Sequence, residues 1–367
     1  MKRTIVILII LSIIGTIGVY AYTQLGVKTD VVLKQKIIYK TSSPITSSFV
    51  LGDDIALGTA SGKLFIITKD GTVKWSKDIG TNISQIKSNK NGNLLVCSVY
   101  FYLFSPQGKK LFYKGYKNYI GLSGKFLSDG NIELIYQSLT DLSYIAVKTD
   151  MNGKTIASRK IPDLGETSFI KITDKGNILF VGARGELYLL DNTGIVNNVV
   201  LNNKNADYHE IYARILPNGN IVCGYKVNFS ENQKVPVYLY SDTLQSIKQF
   251  YINGPINNVI VGLHYLVFAT KDNFLLYDFK GNLINKKIKL GFTPIGYSEN
   301  ESEQVFVFSK NIGSEQGKPI YSVVTIKNNK EVGRYLFSSS SIPQIILDSK
   351  DEYIFVINQN TVSILYN

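Results

Sequence analysis

Apolar and polar residues alternate with period two along most of the chain, and short glycine turns cut the alternation at regular intervals. One phrase returns roughly every forty residues: an alternating strand, a polar turn closed by glycine, and a second strand. It reads KLFIITKDGTVKW at 63–75, FYLFSPQGKKLF at 101–112, YIAVKTDMNGKTI at 144–156, ELYLLDNTGIV at 186–196 and NFLLYDFKGNLI at 273–284. Two further copies, at 237–247 and 321–332, lack the glycine. A second glycine turn stands ahead of four of these phrases, at Gly92, Gly130, Gly176 and Gly219, each followed by an apolar run. Glycine supplies the positive φ that tight hairpins require, and the Asn or Asp beside it tolerates the same region.

Each unit therefore holds four strands, A to D, with tight turns at A–B and C–D. Such radial repetition predicts an all-β, eight-bladed β-propeller, with seven blades as the rival count. Blade boundaries fall near 43–84, 85–120, 121–165, 166–209, 210–254, 255–293 and 294–339. The remainder, 340–367, carries only three strands, while one spare strand, 31–39, lies upstream of the first blade. Pairing the spare strand as the outer strand of the last blade closes the ring and removes two open edges.

The N-terminus changes the setting. Lys2 and Arg3 precede a nearly continuous apolar stretch, 4–22, long enough to span a bilayer core. The expected organisation is a signal anchor or cleaved signal peptide (1–22), a short linker (23–30) and the propeller (31–367) outside the membrane. Cys97 and Cys223 lie in the B strands of blades two and five, too far apart to bridge, and read as buried thiols. The net charge is +12 with only five arginines. The lysines read as spread through turns and outer strands, which fits either codon bias or attraction to envelope polyanions. Nucleic acid is disfavoured by the export signal.

The repeat resembles that of the pyrroloquinoline-quinone-type propellers, G-x-L-x-x-L-d-x-x-T-G-x-x-x-W, best matched at 62–75 (GKLFIITKDGTVKW) and 185–194 (GELYLLDNTG). The tryptophan position is Trp75, then Phe112, Ala157, Asn198 and Asn285 in later blades. The quinone-dependent members of that superfamily use a vicinal cysteine pair and a tryptophan beneath the quinone. This chain has no adjacent cysteines, and its one tryptophan falls on an outer strand. The resemblance thus implies a non-quinone-binding member with no cofactor, similar to the propeller of outer-membrane assembly, which acts as a scaffold for partner proteins.

Candidate chemistry is thin. His209 precedes strand A of blade five and His264 lies in the A–B turn of blade six, on opposite faces of a meander. They cannot share a metal or an acid–base site, so no metal is expected. The stretch 207–220 resembles arylsulfotransferases weakly, with one histidine in place of several. Asp150-x-Asn152-Gly153 is a hairpin turn in register with its siblings, and the acidic run 299–303 is a solvated loop, so neither reads as a calcium site.

One face carries tight turns, and the other carries the long segments 202–209, 228–234 and 310–318. On that second, outward face Arg184, Asp207, Tyr208, His209 and Lys234 are the candidate binding residues, with His209 the one catalytic candidate. The expected function is a membrane-anchored, extracytoplasmic scaffold that binds a partner protein or envelope polymer. An enzyme using the central funnel, or a glycan-binding surface protein, is the alternative.

Overall fold

The computed structural model describes residues 34–165, 167–201, 210–226, 234–262, 264–270, 273–289, 293–299, 305–315, 318–327, 330–338, 344–347 and 354–366. The described strands form eight four-stranded antiparallel sheets. Sheets one to seven are meanders in chain order. Their first strands are Ile45–Leu51, Gln85–Ser88, Tyr119–Phe126, Thr167–Ile172, Glu210–Ile215, Asn258–Val261 and Thr293–Glu299. Sheet eight begins at Gln344–Leu347. These first strands contact one another between sheets one to four and five to eight, sheets four and five share one apolar core, and the last contact returns from Gln344–Leu347 to Ile45–Leu51. They are the innermost strands of a ring.

Sheet eight is completed from the other end of the chain. Its order is Lys34–Lys40, Thr361–Tyr366, Ile354–Asn358, Gln344–Leu347. The N-terminal strand pairs antiparallel with the C-terminal one from Lys34↔Tyr366 to Lys40↔Thr361. The closing strand expected at 31–39 is thus Lys34–Lys40 among the described residues. The Thr41 N–H donates to the Asn360 carbonyl at 2.8 Å, and the Ile45 N–H to that of Gln359 at 2.7 Å, tying the chain's entry into sheet one to its exit from sheet eight.

The core lies between sheets. Ile55, Leu57 and Ile67 of sheet one pack with Phe355, Val362 and Ile364 of sheet eight. Ala56, Leu64 and Ile66, on the other side of sheet one, pack with Leu94, Val96 and Phe104 of sheet two. Period-two alternation sends successive side chains to opposite neighbours, so each sheet contributes to two interfaces and completes neither alone.

A second contact repeats at the outer edge. Trp75, on the fourth strand of sheet one (Val73–Asp78), lies over Gly108 in the C–D turn of sheet two and donates its Nε1–H to the Pro106 carbonyl at 2.8 Å. A Cβ on Gly108 would stand 2.8 Å from the indole, so only glycine lets the ring seat there. Phe112 meets Gly153 of sheet three in the same way, and Phe250 meets Gly281 of sheet six. Sheet three has Ala157 at the aromatic position, and Arg159 two residues on takes over: it donates to the Gly176 carbonyl at 3.2 Å and to Asn192 Oδ1, both in sheet four. Its other partner is the buried Glu133 carboxylate at 3.0 Å.

Sheet five inverts the arrangement. Its turn has Leu244 at φ 60 where sheets one to four and six have glycine, and the Leu244 N–H still closes the turn on the Ser241 carbonyl at 3.0 Å. Sheet four offers Asn198 instead of a ring, and Leu244 itself is 2% exposed. Leu142, in the turn between Ile132–Ser138 and Tyr144–Thr149, has φ 57 but is 65% exposed.

One sequence reading is corrected. Residues 310–315 and 318 belong to strands and not to a long loop: Val305–Glu315 and Lys318–Lys327 stay paired out to Ser314↔Pro319 and Glu315↔Lys318, past an irregularity that follows Lys310. Pairing satisfies backbone groups that an extended loop would leave to water.

Two pairs of substitutions test these contacts. At Gly71 a Cβ would overlap the Ile38 carbonyl of the closing strand, whereas at Gly130 it would meet nothing within 4 Å, and φ is positive at both. Gly130→Ala is expected to cost only the backbone term of about 1–2 kcal/mol. Gly71→Ala should cost clearly more in urea unfolding, and equal losses would remove the closing strand from that contact. Leu142→Gly is expected to stabilise by up to about 1 kcal/mol by relieving the left-handed backbone. Leu244→Gly, at nearly the same φ, should destabilise by about 1–3 kcal/mol because it empties a core site. Thermal melts of the pair should move in opposite directions.

Candidate functional site

Strand order divides the connections between two ends of the ring. The A–B and C–D turns share a first face, and the B–C and D–A connections share a second. Arg184 lies in the B–C turn of sheet four, between Ile178–Gly182 and Glu186–Asp191, and is exposed. Its backbone N–H donates to Glu186 Oε2 at 3.1 Å. Lys234, also exposed, opens the third strand of sheet five (Lys234–Tyr240) opposite Asn253. Both therefore belong to the second face, and no hydrogen bond or ion pair joins them. Asp207, Tyr208 and His209 lie outside the described residues, as do 228–233. His264 is exposed in the A–B turn of sheet six, on the first face. Cys97 and Cys223 are buried free thiols, and burial holds the Cys97 thiol up at about 11.

The second face of sheets two and three carries features that no motif announced. Tyr100 and Tyr113 meet edge to face at 5.2 Å, as do Tyr116 and Tyr136 at 5.0 Å, and Tyr102 meets Tyr113 in a tilted contact at 5.2 Å. Beside them Leu139 and Leu142 stand 60% and 65% exposed in the B–C turn of sheet three. The turn is rigid. Ser138 Oγ accepts from the Thr140 N–H at 3.2 Å, and Asp141 Oδ1 accepts from the Ser143 N–H at 3.1 Å and its hydroxyl at 2.8 Å. Hydrogen bonds from Ser138 and Ser143 hold the Asp141 carboxyl down at about 2, so the turn keeps its acceptor through ordinary pH. The Leu139 N–H donates to the Asn118 carbonyl at 2.8 Å, fastening the turn to the connection from sheet two. Two apolar residues in SLTDLS, where a turn of this kind is ordinarily polar, were the available sequence signal.

Toward the first face the innermost strands carry charge. Lys87, Lys125, Lys171 and Arg214 occupy one register position in four consecutive sheets, opposite Leu95, Glu133, Leu179 and Val222. The reading of lysines as confined to turns and outer strands does not hold for these. Lys125 pairs with Asp174 at 2.7 Å, and Arg214 donates through Nε to the Val259 carbonyl at 3.2 Å. Among the described residues no carboxylate forms an ion pair with Lys87 or Lys171. Burial, then the charges of Lys125 and Lys171, push the Lys87 ammonium down to about 8. Lys171 is also lowered, by burial and then by Arg214. Among the described residues no three His, Cys, Asp or Glu side chains converge as a metal site, and no helix is long and apolar enough to cross a membrane.

No family model matches the chain, and no curated protein is similar to it in sequence. Solved structures are. The C-terminal WD40 domain of Sif2 is similar with a TM-score of 0.64 at 13% identity, over 92% of this chain and 99% of that one. The computationally designed Ika8 protein gives 0.60 at 12% identity, over 90% and 100%. BamB from Moraxella catarrhalis gives 0.47 at 13% identity, over 75% and 83%. At such identities the likeness is one of fold, and it agrees with the ring of sheets: the chain is a β-propeller.

Proposed function

We propose that the chain is an eight-bladed propeller of the pyrroloquinoline-quinone-like repeat type that binds no quinone, and that its second face docks a partner protein. The observation that carries this reading is the exposed pair Leu139 and Leu142, held on a rigid turn beside the tyrosine cluster. A leucine kept in the left-handed region while two-thirds exposed gives the fold nothing. Strain of that kind concentrates where a side chain is displayed for contact. Apolar anchors beside tyrosines are the usual composition of an interface centre, with Arg184 and Lys234 as outlying charges of the same face. The fold itself assigns no activity. The apolar stretch 4–22 supports a setting outside the membrane, tethered through the linker 23–30.

Photo-crosslinking residues at 139 and 142 are expected to capture one discrete protein, and the same residue at Lys109 of the first face none. Leu139→Asp with Leu142→Asp should abolish that capture without lowering the melting temperature. His209→Ala should leave it within about tenfold, since one loop imidazole rarely carries more at an interface. A turnover activity lost in His209→Ala and indifferent to the leucine pair would replace the scaffold with the enzyme. Protease added outside intact cells should cut the connections of the second face. Protection there would put the propeller on the other side of the membrane.

A further inference from the structure

Four cations at one register position of four consecutive innermost strands call for a partner. We propose that Lys87, Lys125, Lys171 and Arg214 form a binding site, within the ring toward its first face, for a multiply charged oxyanion of the phosphoryl type. Two of the four reach the next sheet, Lys125 to Asp174 of sheet four and Arg214 to Val259 of sheet six, while the Lys171 ammonium stands 5.9 Å over the Phe169 ring of its own strand. The arc then stops, because the equivalent position of sheet six is Ile260, opposite Val267. Codon bias accounts for many lysines, but not for four cations in one register on the strands that surround the axis.

The charge does not balance internally. Asp174 is the one carboxylate that pairs with the arc among the described residues, and it is taken by Lys125. Lys87 and Lys171 are left with no carboxylate among the described residues. Crowding like charges around the largely buried Lys87 is unfavourable unless an anion joins them. A single carboxylate would answer only one of the two, whereas a phosphoryl group or short polyphosphate carries two or more charges and several acceptor oxygens. Ammonium groups act on it as point charges, and the guanidinium adds directed donors.

Lys171 is solvent-exposed and yet depressed by burial. The two go together in a side chain that lines a water-filled passage inside the protein. The groups that act on Lys87 are Lys125, Lys171, Asp174 and the Cys97 thiol, which stays neutral through ordinary pH. An arriving anion should therefore draw a proton onto Lys87, and binding should weaken as pH rises from about 7 to about 9.

Calorimetric titration of the full chain with tripolyphosphate at low ionic strength tests the site. Saturable binding is expected, with acetate not competing. Lys87→Met and Lys171→Met should each weaken it at least about tenfold. Lys109→Met, an exposed first-face lysine outside the arc, should not. Neither arc variant should lower the melting temperature, since each removes a crowded cation; a purely structural role would lower it.

Vesicles containing phosphatidic acid separate the sources of the anion. Flotation that tripolyphosphate competes away assigns the site to a lipid headgroup. Tripolyphosphate binding without flotation assigns it to a soluble anion. Absence of saturable tripolyphosphate binding, or equal weakening by Lys109→Met, overturns the proposal. The outcome is independent of the second-face leucines, which lie at the other end of the ring.

Discussion

Everything in this molecule depends on a backbone ladder between its two ends. A four-stranded sheet with apolar residues on both faces has no stable existence alone, and sheet one is covered by sheet eight on one side and sheet two on the other. Such an arrangement tolerates no open member. The pairing of Lys34–Lys40 with Thr361–Tyr366 supplies the strand that sheet eight lacks and removes two exposed edges. The backbone contact of Gly71 with Ile38 then seats that borrowed strand against sheet one. Ring closure is thereby carried by hydrogen bonds, one close approach and the apolar core between sheets eight and one, with both cysteines free.

Around the outside, the sheets are joined by a joint of interchangeable parts. The requirement is that the fourth strand of one sheet fill the space over the C–D turn of the next. A ring over glycine meets it at Trp75–Gly108, Phe112–Gly153 and Phe250–Gly281. Arg159, spanning from buried Glu133 to Asn192 and the Gly176 carbonyl, meets it with polar contacts. Leu244 meets it from the opposite side, bearing a left-handed backbone to fill the volume itself. The decay of the aromatic motif along the chain is therefore a change of chemistry at a preserved joint.

The fold was legible because its two determinants are local. Alternation and glycine turns mark each strand pair, and the turn glycines Gly71, Gly108, Gly153, Gly92, Gly130, Gly176 and Gly219 all adopt positive φ. Closure was legible from strand counting alone. The hairpin at 310–318 was not, because KNIGSEQGK lacks alternation and is held by cross-strand pairing instead. Arg159 and Phe250 were missed because they sit two residues past the motif position, which on a strand is the same face. The cation arc was invisible for a different reason: Lys87, Lys125, Lys171 and Arg214 are about forty residues apart in sequence and share a position only once the sheets are aligned. Of the candidate residues, Arg184 and Lys234 share a face, and Asp207, Tyr208 and His209 lie outside the described residues.

The borrowed strand also fixes an order of events. Lys34–Lys40 is made first and its partner Thr361–Tyr366 last, so nearly the whole chain must be synthesised before that ladder can form. Until then the nascent propeller is an open arc with an unpaired strand at each end, in the form most prone to join edges with another chain. Contacts this distant in sequence are slow to form. A chain delivered through a membrane one residue at a time would therefore spend its whole passage with its first strand waiting. The three lysines of that strand, Lys34, Lys36 and Lys40, are placed where charge discourages wrong partners during the wait.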